Sequence, residues 1–120
     1  MTREELGRAG EAVAAKYYMD RGCRLLAHHY RTRMGELDLV LQEGNTIVIC
    51  EVKTRSGHTW GTPGEAVNAA KQRRLILAAR RYLQQTGHTE DFVRFDVAEV
   101  FRMPHGWQVH CIRNAFVCHS

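Results

Sequence analysis

The chain has 120 residues, of which 44% are hydrophobic and 25% are charged. This length fits one domain with its own core, so we expect a single domain over residues 1–120. The composition excludes a disordered chain, a collagen-like repeat and a coiled coil, and no apolar run approaches the roughly 20 residues of a membrane span. The net charge of +4 permits a polyanionic partner without requiring one.

The basic residues are mostly arginines, with lysine only at Lys16, Lys53 and Lys71. Arginine suits bidentate contact with phosphate, although a coding bias toward arginine would give the same composition. A lysine in such an arginine-rich chain therefore marks a position where the chemistry of the ammonium group could matter.

The cysteines form no Cys-x-x-Cys pair, and Cys50 lies in an apolar run typical of a core strand. A partial zinc site at Cys111, Cys118 and His119 fits no standard ligand spacing. The first residues are charged and carry no apolar segment of a secretory signal. We therefore expect free thiols and a cytoplasmic protein that does not enter the membrane.

The first half of the chain predicts a helix and three strands. Apolar residues at helical spacing predict a helix over residues 3–21, with a capping box formed by Thr2 and Glu5. Strand-like runs follow at residues 23–33, 34–43 and 46–55. Gly44-Asn45, between the last two runs, is typical of a tight hairpin turn.

The second half predicts a loop, a long helix and two strands. Residues 56–64 are rich in turn-forming residues, and the helix runs from Glu65 to Gln85 with Gly87 after it. The last strands are predicted at residues 92–101 and 107–112. The element order is therefore α-β-β-β-α-β-β, an α/β chain.

The hairpin brings chemically active side chains together. Side chains alternate along a strand, so Glu36 shares a face with Asp38, and Glu51 shares one with Lys53. A two-residue turn at 44–45 makes paired residue numbers sum to 89, which sets Asp38 opposite Glu51 and Glu36 opposite Lys53. A four-residue loop keeps this register, whereas a three-residue loop would separate Asp38 and Glu51 onto opposite faces. Opposed residues have Cβ atoms roughly 5 Å apart.

Two carboxylates this close repel one another, and a divalent cation relieves the repulsion. Mg²⁺ prefers oxygen ligands and is often held by one or two carboxylates with water and phosphate. Lys53, on the same face, could neutralise the site or orient and deprotonate an attacking water. Neighbouring carboxylates would keep this lysine charged, whereas burial would lower its pKa.

The alternative is a surface hairpin with charge pairs Glu36–Lys53 and Asp38–Arg55. It fits poorly because the second face of the hairpin is also apolar, and charges between two buried faces need a reason. The residues expected on that second face are Leu37, Leu39, Leu41, Val48, Cys50 and Val52.

These segments resemble the YraN-like bacterial proteins, through Gly35-Glu36-x-Asp38-Leu39, a hairpin, and Glu51-Val52-Lys53-x-Arg55. Those proteins are similar in turn to archaeal Holliday-junction resolvases and to the restriction-endonuclease-like, PD-(D/E)xK fold. The likeness covers nearly the whole chain, and its further matches are Gly10-Glu11-x-x-Ala14, Gly61, Ala66-Val67, Lys71 and Arg94-Phe95-Asp96-Val97. It implies a restriction-endonuclease-like (tRNA-endonuclease-like) core, a mixed β-sheet flanked by helices. The fold's Pro-Asp pair is not present at Asp38, because Leu37 and not proline precedes this aspartate.

The resemblance also implies roles for individual residues. Asp38 and Glu51 match the carboxylates that bind Mg²⁺ or Mn²⁺, and the Val52 carbonyl matches a further metal ligand. Lys53 matches the catalytic lysine. Glu11 matches a glutamate of the first helix that completes or supports the metal site.

Other residues are expected to contact nucleic acid. Lys71 and Gln72 match a helix region that contacts substrate phosphate in the resembled proteins. Basic residues that could line a phosphate track, or could form only a solvated face, are Arg31, Arg33, Arg55, Arg73, Arg74, Arg80 and Arg81. Trp60 could stack on an unpaired base or simply pack, and His58 is equally ambiguous.

The resemblance therefore implies a protein that binds nucleic acid and cleaves phosphodiester bonds of structured or branched substrates with Mg²⁺ or Mn²⁺. DNA is favoured over RNA as the substrate, although the residues themselves do not distinguish the two. By analogy with resolvases the resemblance also implies a homodimer. Two alternatives stay open from the residues alone. One is a binding module that keeps the pocket without cleaving, and the other is an adaptor that acts through protein contacts.

Overall fold

The computed structural model describes residues 1–56 and 67–117. The predicted sites at His58, Trp60, Cys118 and His119 lie outside the described residues, as does most of the predicted loop at 56–64. The elements follow the predicted order and are α1 (Arg3–Met19), β1 (Arg24–Arg31), β2 (Glu36–Glu43), β3 (Thr46–Ser56), α2 (Ala69–Thr86), β4 (Phe92–Met103) and β5 (Gly106–Phe116).

The strands form one mixed sheet in the order β1-β2-β3-β4-β5. β3 and β4 are parallel, and the other neighbours are antiparallel. The parallel pair requires a crossover, and α2 lies in that connection. The expected mixed sheet with helices is therefore confirmed. Within the described ranges, neither helix is long and apolar enough to cross a membrane.

The two helices cover opposite faces of the sheet. Leu75, Ala78 and Tyr82 of α2 pack with Ile47 and Ile49 of β3 in one core cluster. The second core cluster joins α1 to the other face of the sheet, and its members include Ala14, Tyr18, Leu41, Val48 and Cys50. Cys50 is a core residue, as its apolar run predicted. The centre of the sheet is thus buried on both sides.

The hairpin register is the predicted one. Glu43 lies opposite Thr46 and Leu39 lies opposite Cys50, so the paired numbers sum to 89. Gly44 occupies the turn with a φ of 60°, a value that glycine adopts at little cost.

The predicted alternation fails at Leu37, which was expected to share a face with Leu39. Leu39 packs in the α1 cluster, whereas Leu37 packs with Val40 in the α2 cluster. The change occurs beside an irregular residue of the neighbouring strand, since His29 has a φ of 50° and lies between the register pairs His28–Leu39 and Tyr30–Leu37. A left-handed residue kinks the strand and changes the direction of the flanking side chains.

Both helix predictions were too long at one end. α1 ends at Met19 rather than at residue 21, since Asp20 forms the C-cap and Gly22 follows with a φ of 93°. The capping box of Thr2 and Glu5 is confirmed. α2 begins at Ala69 because the Asn68 side chain caps it, whereas the predicted start at Glu65 lies outside the described residues.

The last strands are longer than predicted. β4 reaches Met103, and β5 continues past Ile112 to Phe116. Asn114 has a φ of 53°, and its backbone N–H donates to Asp96 Oδ1 at 2.9 Å. The hydrogen bond to buried Asp96 satisfies the Asn114 N–H where the β4–β5 register shifts, and the two strands pair again at Phe116.

Candidate active site

Asp38 and Glu51 are the first pair beyond the β2–β3 ladder, whose last register pair is Leu39 with Cys50. Asp38 Oδ2 accepts a 2.9 Å hydrogen bond from the backbone N–H of Val52. Glu51 is only 5% exposed, and its carboxyl group is within hydrogen-bonding reach of Asp38. The hairpin therefore holds a half-buried carboxyl group, that of Asp38, beside a buried one, that of Glu51.

The pKa of Asp38 reflects this crowding. Burial and then the charge of Glu51 raise it from an ordinary 3.8 to about 7, against the lowering effect of the Val52 hydrogen bond. Two adjacent carboxyl groups with little water cannot both ionise freely. A large share of molecules would hold a proton at Asp38 near neutral pH unless a cation lies close by.

Lys71 supplies one positive charge from the first turn of α2. Its Nζ lies 3.0 Å from Glu51 Oε1. A cation in the first turn opposes the helix dipole, so this contact is what favours a lysine at that position. Burial lowers the pKa of Lys71, but the hydrogen bond and charge of Glu51, together with smaller contributions from Lys53 and Asp38, raise it, and the net shift is upward. Lys71 is therefore held in its charged form.

Lys53 has the opposite electrostatic setting. Burial and the neighbouring charge of Lys71 lower its pKa, against the raising effect of Glu51. The two lysines therefore differ in protonation, because Lys71 stays protonated whereas Lys53 gives up its proton more readily. A lysine with a lowered pKa is the form that can accept a proton from water.

Glu11 reaches the same place from α1, and Gly10 explains how. A Cβ atom at Gly10 would lie 1.9 Å from Thr54 Oγ1, so only glycine lets the α1 backbone approach β3 this closely. Glu11, the next residue, is carried to the edge of the carboxylate pair. Its side chain is 15% exposed.

The His29 ring lies between Glu11 and Glu36. His29 Nε2 contacts Glu11 Oε1, and His29 Nδ1 lies 2.8 Å from Glu36 Oε1. Burial raises the pKa of Glu11, while the charge of His29 lowers it less strongly. The imidazole therefore fixes where the Glu11 carboxylate sits.

A cavity of about 320 Å³ joins these side chains. It is lined by Arg3, Leu6, Gly7, Glu11, Asp38, Glu51, Val52, Lys53 and Thr54. In the two described ranges, no group of three or more His, Cys, Asp or Glu side chains has an arrangement that could hold a metal ion by itself. The cavity instead offers a pair of carboxyl groups with one lysine in the lining and a second lysine on Glu51.

Comparison with known sequences identifies a protein family that matches most of this chain. Residues 10–100 match the family described as "Uncharacterised protein family UPF0102". The chain belongs to this family. The match agrees with the resemblance to YraN-like proteins and includes Glu11, Asp38, Glu51, Lys53 and Lys71.

The similarity to individual relatives extends over nearly the full length of both chains. A UPF0102 protein of Symbiobacterium thermophilum is 49% identical over 113 residues, covering 92% of this chain and 95% of the relative. One from Desulforapulum autotrophicum is 40% identical, covering 95% and 94% of the two chains. One from Frankia casuarinae is 45% identical, covering 95% and 98%.

The expected nucleic-acid residues fall in several places. Lys71 contacts Glu51 of the cavity lining, whereas Gln72 turns back and donates from Nε2 to the Val67 carbonyl at 3.1 Å. Arg31 and Arg33 line a different and larger cavity. Arg55 is half-buried, with Nε 3.6 Å from Glu99 Oε2.

Arg73 and Arg74 are exposed on α2. Gly35 packs against the Arg74 backbone, where an added Cβ would meet the Arg74 carbonyl oxygen at 3.3 Å. This close approach joins the β1–β2 connection to α2.

The structure, in which all four residues are described, does not contain the Glu36–Lys53 and Asp38–Arg55 charge pairs that the surface-hairpin alternative predicted. Glu36 contacts His29 and Arg31 instead of Lys53. Arg55 pairs with Glu99 and not with Asp38, which accepts from the Val52 backbone.

Two residues near the site were missed in the sequence. His29 had no local signal, because its position depends on a kink and on two carboxylates from other elements. Glu99 had one, since it is an acid within an apolar run, and it is 2% exposed and opposite Lys53 in the parallel register. A buried charge in such a run demands a partner, which here is Arg55.

Proposed function

We propose that this protein binds nucleic acid through a nuclease-like cavity and hydrolyses phosphodiester bonds in structured or branched DNA, with Mg²⁺ or Mn²⁺ as cofactor. The proposal includes the restriction-endonuclease-like fold, which the mixed sheet and the element order permit. The observation that carries it is the adjacent pair of carboxyl groups, half-buried Asp38 and buried Glu51, beside a lysine with a lowered pKa.

The donor set fits a hard divalent cation. Asp38 and Glu51 provide carboxylate oxygens, and burial together with the charge of Glu51 raises the pKa of Asp38, an electrostatic cost that a bound cation would relieve. Mg²⁺ is commonly held by one or two carboxylates with waters and phosphate, so a two-carboxylate site is sufficient. The Val52 carbonyl is proposed as a further ligand. When bound, the cation supplies Lewis-acid stabilisation of the charge that develops on the phosphoryl oxygens.

The residues of the chain itself carry the remaining steps. Lys53 Nζ, in its neutral form, accepts a proton from a water molecule as the water oxygen bonds to phosphorus. The phosphorus–oxygen bond to the leaving group breaks, and that oxygen takes a proton from solvent. Lys71 Nζ pairs with Glu51 Oε1, and His29 holds Glu11 at the edge of the cavity. The products are a phosphomonoester and a free hydroxyl group.

A cleavage assay tests this proposal. The protein is incubated with Mg²⁺, Mn²⁺ or a chelator on four-way junction, flapped, nicked and single-stranded DNA, alongside Asp38→Asn and a Lys16→Ala control. Lys16 is exposed on α1 and pairs with Asp20, away from the cavity residues. We expect metal-dependent cleavage by the parent and by the control, and none by Asp38→Asn. Cleavage that survives the chelator, or that Asp38→Asn retains, contradicts the proposal.

A second candidate function is a nucleic-acid-binding module that does not cleave. The observation that favours it is the Lys71 ammonium, 3.0 Å from Glu51 Oε1, which already meets the charge of one carboxylate without a metal. This function predicts binding of the same DNA substrates with no cleavage under any metal condition.

A further inference from the structure

A cavity larger than the one at the candidate active site lies away from it, on the other side of the β1–β2 connection. It has a volume of about 860 Å³ and lies between the β1–β2 connection and the C-terminal half of α2. Arginines line it from both sides, with Arg31 and Arg33 on one wall and Arg80 and Arg81 on the other. We call it the arginine cavity. No Asp or Glu is among its lining residues in the described part of the chain.

The helix that forms one wall is the source of the protein's net charge. α2 contains five basic residues and no acidic residue. The whole chain has 17 basic and 13 acidic residues, so α2 carries +5 and the rest of the chain carries −1. Like charges gathered on one helix repel one another, and such a concentration attracts an anion.

The walls of the cavity are well supported. The Tyr30 ring packs edge-on against Tyr82, with centroids 5.1 Å apart, and the Tyr30 hydroxyl donates to Gln85 Oε1. On the β1–β2 connection, Thr32 Oγ1 accepts from the backbone N–H groups of Met34 and Gly35. The arginines are therefore presented from fixed backbone, which lowers the entropy lost on binding.

Two further arginines lie on α2 between the arginine cavity and the start of the helix. Arg73 and Arg74 precede Arg80 and Arg81 by seven residues, or about two helical turns, so all four lie on one face of α2. Lys71, at the start of the same helix, contacts Glu51. From Lys71 to Arg81 the helix rises roughly 15 Å. One strand of a duplex carries a phosphate every 3.4 Å or so along its axis, so this span corresponds to about four or five phosphates.

We infer that the arginine cavity binds the phosphodiester backbone of the nucleic acid at about four to five phosphates from the phosphate that would be cleaved at the candidate active site. This rests on the proposed function and adds a second contact with the substrate, remote from the reacting bond. Guanidinium groups bind phosphate oxygens in bidentate fashion, and several arginines around one concave surface suit a polyanion better than a neutral ligand.

The test compares two double variants that remove the same charge. Arg80→Gln with Arg81→Gln changes the arginine cavity. Arg24→Gln with Arg113→Gln is the control, since Arg113 pairs with Glu43 beside the hairpin turn and Arg24 pairs in register with Gln42 at that end of the sheet. Affinity is measured in the presence of a chelator for four-way junction DNA with arms of about 4 or about 12 base pairs, at several salt concentrations. The same junction made of RNA is measured in parallel.

We expect the cavity variant to lose roughly tenfold or more in affinity for the long-armed junction, with a log–log salt slope shallower by about one to two units. Its loss on the short-armed junction should be smaller, because the arms end before the cavity. The control should lose less than about threefold on both. A larger loss with DNA than with RNA identifies DNA as the source of the phosphates, and the reverse identifies RNA.

Equal losses in the two double variants, or a loss independent of arm length, overturn the inference. A parent that binds neither DNA nor RNA overturns it as well. If the parent cleaves DNA and the cavity variant binds normally, the inference fails while the proposed function stands. If binding depends on the cavity and no DNA is cleaved, the inference stands and the catalytic part of the proposal fails.

Discussion

Lys71 Nζ lies 3.0 Å from Glu51 Oε1, and this contact ties the first turn of α2 to the end of the β2–β3 hairpin. Glu51 is buried, while the Lys71 side chain is one-third exposed. The contact gives a buried carboxylate its nearest positive charge and places the basic helix beside the candidate active site. It also separates the roles of the two lysines, since Lys71 is held charged and lowers the pKa of Lys53.

Removing Lys71 should therefore destabilise the protein. Lys71→Ala leaves the Glu51 carboxylate buried without its ammonium partner, and we expect a loss of about 1–2 kcal/mol in the free energy of unfolding. Urea unfolding at pH 8 with a chelator measures this loss. Lys16→Ala, which removes an exposed pair with Asp20, should change stability by less than about 0.5 kcal/mol. Equal effects of the two variants would show that Glu51 does not depend on Lys71.

Asp38→Asn should stabilise the metal-free protein at pH 8. The pKa of Asp38 is about 7 in the folded protein and ordinarily 3.8, so between these values the folded protein retains a proton that the unfolded chain has lost. The parent therefore loses stability as pH rises through this range, and the loss is complete above pH 7. Asparagine keeps an acceptor for the Val52 N–H, and we expect a gain of about 2 kcal/mol.

Urea unfolding of the parent and of Asp38→Asn at pH 4 and pH 8 checks this expectation. The two proteins should have similar stability at pH 4 and should differ at pH 8. Calorimetry with Mn²⁺ should show binding to the parent and none to the variant. A variant less stable than the parent at pH 8 would mean that Asp38 is not held in a site that opposes its charge.

Gly10→Ala should move α1 away from β3. The new Cβ would lie 1.9 Å from Thr54 Oγ1, so the helix must shift and Glu11 shifts with it. We expect a loss of about 2 kcal/mol or more in the free energy of unfolding. Gly7→Ala is the matched control on the same helix, since an added Cβ there meets nothing within 4 Å. It should be neutral or stabilising by about 0.5–1 kcal/mol.

His29→Asn should impair turnover more than substrate binding. Asparagine tolerates the left-handed backbone of residue 29, whose φ is 50°, but cannot contact both Glu11 and Glu36. We expect kcat to fall roughly tenfold with KM nearly unchanged, because Glu11 loses its orientation. His28→Asn is the control. Equal effects of the two substitutions on kcat would rule out a specific role for His29.

The predictable parts of the fold are those that local patterns determine. Gly44-Asn45 fixes the turn, and the period-two alternation then sets which side chains of β2 and β3 face one another. This is why the pairing of Asp38 with Glu51 could be expected from the sequence. The α2 start was misplaced because Asn68, a good N-cap, stood inside a run of helix-forming residues.

The parts that escaped prediction depend on contacts between distant segments. The reversal at Leu37 occurs beside the irregular backbone of His29 on the neighbouring strand, which no pattern within β2 records. The contacts of Glu99 with Arg55 and of Lys71 with Glu51 likewise join separate elements. Side-chain direction at such places depends on packing, and spacing along the chain does not determine it.

The most direct test of the central claim is the single-turnover cleavage of junction DNA by Lys53→Ala in the presence of Mg²⁺, with DNA affinity measured on the same preparation. Lys53 is the proposed base, and it is one of 17 basic residues, so its loss should abolish cleavage and leave most of the affinity. Lys16→Ala should match the parent in both measurements. A Lys53→Ala protein that cleaves as fast as the parent would contradict the account.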